Sequence, residues 1–218
     1  MNLLVNRLRV VYLVDLDYTI VNTETTSHFL KFIGRQRSLL LLRPLLIFMQ
    51  LLTLVLFRLF KTGIDFQKYL KLKVCLRNFD EALINALAHR YVEMLLNNNS
   101  LLNKQVLKLL AQARKNHCLT VLLTASISPI ANRFYELGFW KVYSSEIVYR
   151  DGRFHRLRDL HGRKYTIVKA FLKLREIGKV VVIDDSPERE VIEIAKRDRR
   201  LKIIQPACVK NDCEAETT

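Results

Sequence analysis

Residues 10–14, Val-Val-Tyr-Leu-Val, form an apolar run that ends at Asp15-Leu16-Asp17-Tyr18-Thr19. β-Branched and aromatic residues over this length read as a strand buried on both faces. A strand of that kind belongs to a sheet covered by helices on each side. Open α/β sheets build their sites at the carboxyl ends of their strands, which is where Asp15 and Asp17 stand. A turn using Asp17 and Thr19 for local hydrogen bonds would share the same pattern, so the companions of the pentapeptide decide its meaning.

Three later segments share the character of the first. Residues 119–123 end at Thr124, residues 180–183 end at Asp184-Asp185, and residues 202–204 form a weaker late strand. Helical patterns separate them at 101–115, 129–137, 165–176 and 188–197. Strands alternating with helices predict a parallel sheet with right-handed crossovers. Ser100, Ser128-Pro129 and Ser186-Pro187 are the expected helix starts. Residues 146–154 read as a hairpin turning at Asp151-Gly152. Residues 25–99 interrupt the alternation and are expected to be almost wholly helical. They divide the chain into a core, residues 1–24 and 100–218, and an insert after the first strand.

Half of the 218 residues are hydrophobic, which sustains a sizeable core and excludes global disorder. With 36 Lys and Arg against 21 Asp and Glu, the net charge is +15. That balance favours an anionic partner: nucleic acid, an anionic membrane surface or a phosphorylated substrate. Nucleic acid is not expected, because no stacking aromatics interleave with the basic residues in a recognisable module. Cys75, Cys118, Cys208 and Cys213 form no CxxC pair, a pattern that fits a reducing cytoplasm. No secretory signal is expected in the first residues, the run at 10–14 being too short for one.

Phosphoryl transfer to an aspartate requires a carboxylate nucleophile, a divalent cation, fixed donors around the phosphate and an acid/base. The chain offers a candidate for each at a predicted strand end or helix start. Asp15 is the candidate nucleophile and Asp17 the acid/base. Thr124-Ala125-Ser126 supplies a hydroxyl and backbone N–H groups at an expected strand-to-helix turn, suited to an anion. Lys164, just before a predicted helix, offers a point charge for the phosphoryl group. Asp184 and Asp185 offer carboxylate oxygen to Mg²⁺.

The order of these segments resembles the haloacid dehalogenase superfamily of aspartate-nucleophile phosphatases. The resemblance rests on residues 11–19, 121–126, Lys164 and 181–185, and spans a core of about 140 residues. It implies a Rossmann-like parallel core with a helical cap inserted after the first strand. It also implies a phosphoaspartate on Asp15, with Asp17 acting as acid and then base. Asp15, the backbone carbonyl of Asp17 and Asp185 would hold Mg²⁺, with Asp184 assisting. Tyr18 stands where glycine is common, and Asp184-Asp185 replaces a Gly-Asp pattern. The cap position, the Asp151-Gly152 hairpin and the His161-Gly162-Arg163-Lys164 approach are similar to the phosphoserine phosphatase branch.

Within the insert, residues 39–60 are apolar except for Arg43, Arg58 and a few neutral polar positions. The uninterrupted part, residues 45–57, would be about 20 Å long as a helix, short of a hydrocarbon core of about 30 Å. A single crossing would also place the first strand and its partners on opposite sides of the membrane. Lys31, Arg35, Arg37 and Arg43 precede the stretch, and Lys61, Lys68, Lys71 and Lys73 follow it, which suits an anionic leaflet; burial inside the cap or in a dimer is the alternative for the same residues. Phosphatidylglycerophosphate phosphatases of the superfamily are similar in layout. The expectation is therefore a Mg²⁺-dependent phosphomonoesterase acting on a lipid phosphate or membrane-associated ester, cytoplasmic and peripheral on the membrane face. The alternatives are a phosphatase of small soluble esters, such as phosphoserine or a nucleotide, and a non-enzymatic basic membrane or nucleic-acid adaptor.

Overall fold

The computed structural model describes residues 9–36, 64–77 and 79–206. Six strands, β1 (Arg9–Val14), β2 (Leu119–Ile127), β3 (Lys141–Arg150), β4 (Arg153–Arg158), β5 (Ile177–Ile183) and β6 (Leu201–Ile204), form one sheet. Their order is β4-β3-β2-β1-β5-β6. Every neighbouring pair is parallel except β3 and β4, which form the expected hairpin. Asp151 and Gly152 both take positive φ, 52° and 72°, as a two-residue primed turn requires.

Alternation along the strands sorts their side chains into two apolar layers. Val11, Leu13, Val121, Leu123, Val180 and Val182 face one layer, where Val168 and Phe171 of α6 (Lys164–Lys173) and Val191 of α7 (Arg189–Arg197) cover them. Val14, Leu122, Val181 and Ile183 face the other. That side is covered by α1 (Thr25–Gln36), α2 (Ile64–Leu76), α3 (Glu81–Asn97) and α4 (Lys104–Lys115), through residues including Phe29, Leu72, Tyr91 and Leu110. The described part of segment 25–99 is thus helical, and it shares a core with the sheet. No helix among the described residues is long and apolar enough to cross a membrane. The apolar stretch 39–60 lies outside the described residues.

Several local expectations change. The helix at 104–115 is capped by Asn103, whose side chain accepts from the N–H groups of Gln105 and Val106, while Ser100 sits in a 3₁₀ turn at Asn99–Leu101. Beyond Ser128-Pro129, α5 (Ser128–Ala131) lasts one turn and continues as a 3₁₀ helix, Asn132–Leu137. Helix α7 begins at Arg189, with Glu188 rather than Ser186 at the N-cap position and no side-chain cap. Strand β2 does not end at Thr124; it extends to Ile127 across an irregularity. Residues 141–145 of β3 escaped the sequence reading because Lys141, Ser144 and Ser145 break the apolar run.

The chain leaves β1 towards β2, β3 and β4, then returns to β5 and β6 on the other side. Its direction reverses at β1, and a crevice opens at such a switch point outside the carboxyl ends of the strands. Leu122 lies fully buried on the covered face of β2. Leu122→Ala is expected to cost about 2–5 kcal/mol, read as a lower urea midpoint with an unchanged slope.

Candidate active site

Asp15 directly follows β1, and Asp184 and Asp185 directly follow β5, its hydrogen-bonded neighbour. Lys164 opens α6 and sends its ammonium between two of these carboxylates. Its Nζ lies 2.8 Å from Asp15 Oδ2 and 2.9 Å from Asp184 Oδ2. All three residues are buried. The backbone N–H groups of Lys164 and Tyr165, at the start of α6, donate to the two carboxylate oxygens of Glu188 at 3.2 Å each. An acid from the next helical segment therefore caps α6 at its positive end and fixes where Lys164 begins.

Thr19 explains the last position of the pentapeptide. Its hydroxyl donates to Asp185 Oδ1 at 3.3 Å and accepts from the Asp185 N–H at 3.0 Å. The loop after β1 is thereby tied to the loop after β5. Tyr18 takes φ 54°, in the left-handed region, where a residue without Cβ is unstrained. That is the physical reason glycine suits this position.

Asp17 is held by Thr25, at the first position of α1. Asp17 Oδ1 accepts from the Thr25 N–H at 3.0 Å and from its hydroxyl at 2.6 Å. With that proton committed, the 2.6 Å contact between the Thr25 and Ser126 hydroxyls has Ser126 as donor. The Ser126 N–H donates to the Thr124 hydroxyl at 3.0 Å. Behind Thr25, the Tyr91 hydroxyl donates to the Thr25 carbonyl at 3.1 Å. Both Thr25 bonds fall on Asp17 Oδ1, which assigns any proton on this carboxyl to Oδ2.

Residues 124–126 lie where β2 departs from its ladder. Leu123 pairs with Tyr143 and Ile127 with Ser145, so four steps along β2 match two along β3. The surplus forms a bulge, a device that re-aims backbone groups beside functional sites. The structure thus brings Asp15, Asp184, Asp185 and Lys164 together and links Asp17 to Ser126 through Thr25. Thr25, Glu188 and Tyr91 were missed. A threonine opening a helix reads as an ordinary cap, and nothing local marks Glu188 or Tyr91 as partners of distant residues.

Burial, then the neighbouring carboxylate of Asp15, pushes Asp17 up to about 7. Asp15 is also raised, by burial against the opposing pull of Lys164. Asp185 is raised by burial and by Asp184 beside it. Lys164 is driven upward despite burial, by Asp15 and Asp184, so it remains an ammonium. Asp15 Oδ1 is buried with no hydrogen-bond partner. One carboxylate oxygen from each of Asp15, Asp184 and Asp185 lies within 4.8 Å of the others. Hard oxygen donors, an orphaned oxygen and excess negative charge fit a divalent cation such as Mg²⁺. A cavity of about 280 Å³ opens beside Asp17, bounded by Glu24, Ser27, Lys68, Lys71, Ala125 and Asp159 among others.

A model of the haloacid dehalogenase-like hydrolase family matches residues 12–187. No curated protein matches the chain in sequence. A protein of unknown function from Bordetella pertussis Tohama I superposes with a TM-score of 0.64 at 17% identity, over 90% of this chain and 98% of that one. A phosphoserine phosphohydrolase-like protein from Francisella tularensis gives 0.54 at 14% identity, over 90% and 86%. A phosphoserine phosphatase described as a phospho-aspartyl intermediate analogue gives 0.56 at 12% identity, over 87% and 82%. At these identities the likeness is one of fold.

Asp15 and Asp17 keep protons in the folded, metal-free protein that the unfolded chain releases above about pH 4. Their contribution to stability is therefore complete at low pH and lost as pH rises through about 7. Thermal melts in chelator are expected to show Tm falling across that window. Added Mg²⁺ should raise Tm at pH 7.5 and leave it unchanged at pH 4.5, where protonated carboxyls cannot ligate.

Proposed function

Because the chain belongs to the haloacid dehalogenase-like hydrolase family, matched from residue 12 to residue 187, we propose that it is a Mg²⁺-dependent phosphomonoesterase working through a phosphoaspartate on Asp15. The observation that carries this reading is the buried ammonium of Lys164 set between Asp15 and Asp184, beside a carboxylate oxygen without a partner. An arriving phosphate meets a positive charge within salt-bridge distance of the nucleophile, together with the Thr124 hydroxyl, while the Ser126 hydroxyl and N–H brace Thr25 and Thr124.

In the first step an oxygen of Asp15 bonds to phosphorus, and the bond from phosphorus to the ester oxygen breaks. Asp17, raised to about 7 and so still partly protonated at neutral pH, gives its proton to the departing oxygen. In the second step Asp17, now a carboxylate, takes a proton from water as that water attacks phosphorus. The bond to Asp15 breaks and inorganic phosphate leaves. Thr25 keeps Asp17 oriented through both steps. Mg²⁺, held by Asp15, Asp185 and the carbonyl of Asp17, would neutralise charge on the phosphoryl oxygens. Asp185 is the better direct ligand of the acidic pair. Both oxygens of Asp184 are engaged, one by Lys164 and one by the Ser186 N–H at 3.0 Å.

The helical insert at 25–99 is read as the cap that selects the leaving group. The cavity beside Asp17 sets charged groups, including Glu24 and Lys71, among a largely apolar surface to which Leu30 and Leu72 contribute, so its lining accommodates polar and apolar parts of a leaving group alike. Two of the fold neighbours are a phosphoserine phosphatase and a phosphoserine phosphohydrolase-like protein. A lipid phosphate at the membrane surface is the other reading, and it rests on the apolar residues 39–60 with their basic flanks. A screen of phospholipid and soluble phosphate monoesters with Mg²⁺ separates the two. Release from vesicle-borne phosphatidate or phosphatidylglycerophosphate alone favours the lipid reading.

Asp15→Asn is expected to abolish phosphate release, and activity at the wild-type level in that variant would end the proposal. Asp17→Asn should lower kcat about 10²–10⁴-fold. Asp185→Asn should raise the Mg²⁺ concentration needed for half-maximal rate more than Asp184→Asn does.

A further inference from the structure

The carbonyl of Ala125 lies in the β2 bulge, where the ladder to β3 is interrupted, and a buried carbonyl needs a donor from elsewhere. It receives two. Lys68, from α2, places Nζ 2.6 Å away, and the Ser145 hydroxyl lies at 2.8 Å. Lys68 also donates to Ser145 Oγ at 3.2 Å and to Asp159 Oδ1 at 2.9 Å. An ammonium has three protons, so Lys68 is fully committed to three acceptors on β2, β3 and the segment before α6. Asp159 Oδ1 additionally accepts from the His161 N–H at 3.1 Å, and it shares the single proton of the Ser145 hydroxyl, 2.6 Å away, with the Ala125 carbonyl. Burial acts to raise Asp159, but Lys68 and these hydrogen bonds outweigh it and leave the carboxyl below its ordinary value, so the pair is ionic.

The other end of the same peptide unit is also tied, because the Ser126 N–H donates to Thr124 Oγ1. Both faces of the 125–126 peptide are therefore fixed, one of them by a side chain from the helical insert. We propose that Lys68 is a positioning residue, a latch from the insert that holds the Ala125–Ser126 peptide and so sets the bulge, with its Thr124 hydroxyl, for phosphate binding, with Ser145 and Asp159 as its seat. The latch rests on the reading of residues 124–126 as the phosphate-binding segment. It makes the insert part of the machinery that orders the phosphate site as well as a wall of the cavity. Lys68 itself binds no phosphate, having no donor left to offer.

The test compares Lys68→Met, Lys68→Arg and the double variant Lys68→Met/Asp159→Leu with wild type. The double variant removes both charges, so no unpaired buried carboxylate weakens the fold. Amide hydrogen exchange over peptides covering residues 119–128 is measured first, without substrate. Exchange should quicken at least tenfold at 124–127 in both Met-bearing variants, with Tm recovered in the double variant. Kinetics on p-nitrophenyl phosphate and inhibition by inorganic phosphate follow. We expect kcat to fall at least tenfold and phosphate inhibition to weaken similarly in the double variant, with partial recovery in Lys68→Arg. Unchanged exchange at 124–127 in both Met-bearing variants overturns the latch whatever the activity. Quickened exchange with wild-type kcat and phosphate inhibition overturns its positioning role. Quickened exchange in a protein whose wild type neither hydrolyses esters nor binds phosphate leaves the latch standing and removes the phosphatase reading instead.

Discussion

Everything at the catalytic end of the sheet is organised around one ammonium. Lys164 is buried and touches Asp15 and Asp184 at under 3 Å. Removing one partner from such a cluster typically costs about 3–5 kcal/mol, whereas an apolar replacement of the whole is often neutral. The cluster is therefore a poor device for stability alone. Charge balance points the same way. Asp15, Asp17, Asp184 and Asp185 face a single lysine, and the mismatch appears as raised carboxyls. That excess of negative charge is what the proposed cation would offset.

The sheet makes that concentration of charge possible. Buried parallel strands deliver side chains to a common edge without exposing the backbone that carries them. β1 and β5 are adjacent, so the residues that follow them must meet although they are far apart in sequence. Thr19 then locks the two loops together, and Glu188 locks the helix that presents Lys164. Most of the residues that do this are short, rigidly held and within one turn of a strand end or helix start. The long helices supply cover and the apolar contacts that keep the strands in register.

The parallel sheet and the candidate ligands were legible in the sequence because each depends on a local pattern. Apolar runs at 10–14 and 180–183 lead directly into acids, and a buried strand needs no partner to be recognised. The Asp-Gly turn was legible for the same reason, since its backbone demands those residues. What was hidden depends on pairing across the fold. Asn103 outcompetes Ser100 as a cap only once the 3₁₀ turn is in place. Thr25 becomes a support for Asp17 only when α1 lies beside Ser126. Lys68 is one of 36 basic residues, and nothing near it in sequence predicts a bond to Ala125. Strand β2 looked complete at Thr124 because Ala125 and Ser126 lack a strand's apolar pattern, yet the extended chain carries on to the buried Ile127.

The bulge in β2 also governs which changes in length the chain can absorb. Segments between strands and helices usually tolerate insertion or deletion, because they run over the surface. Residues 124–126 occupy a position that resembles such a connection, but both of their ends are pinned in the sheet, at Leu123 and Ile127. Leu123 lies in the layer under α6 and Ile127 in the layer under α1 to α4, where unbroken alternation over four residues would put them in the same one. The bulge makes that change of layer, and losing or gaining a residue there would move Ile127 out of its pairing with Ser145. A loss of two would erase the bulge altogether, and the change of layer with it. The segment is thus fixed in number as well as in kind, a constraint on how this chain can vary that follows from the two residues by which one strand outruns its neighbour.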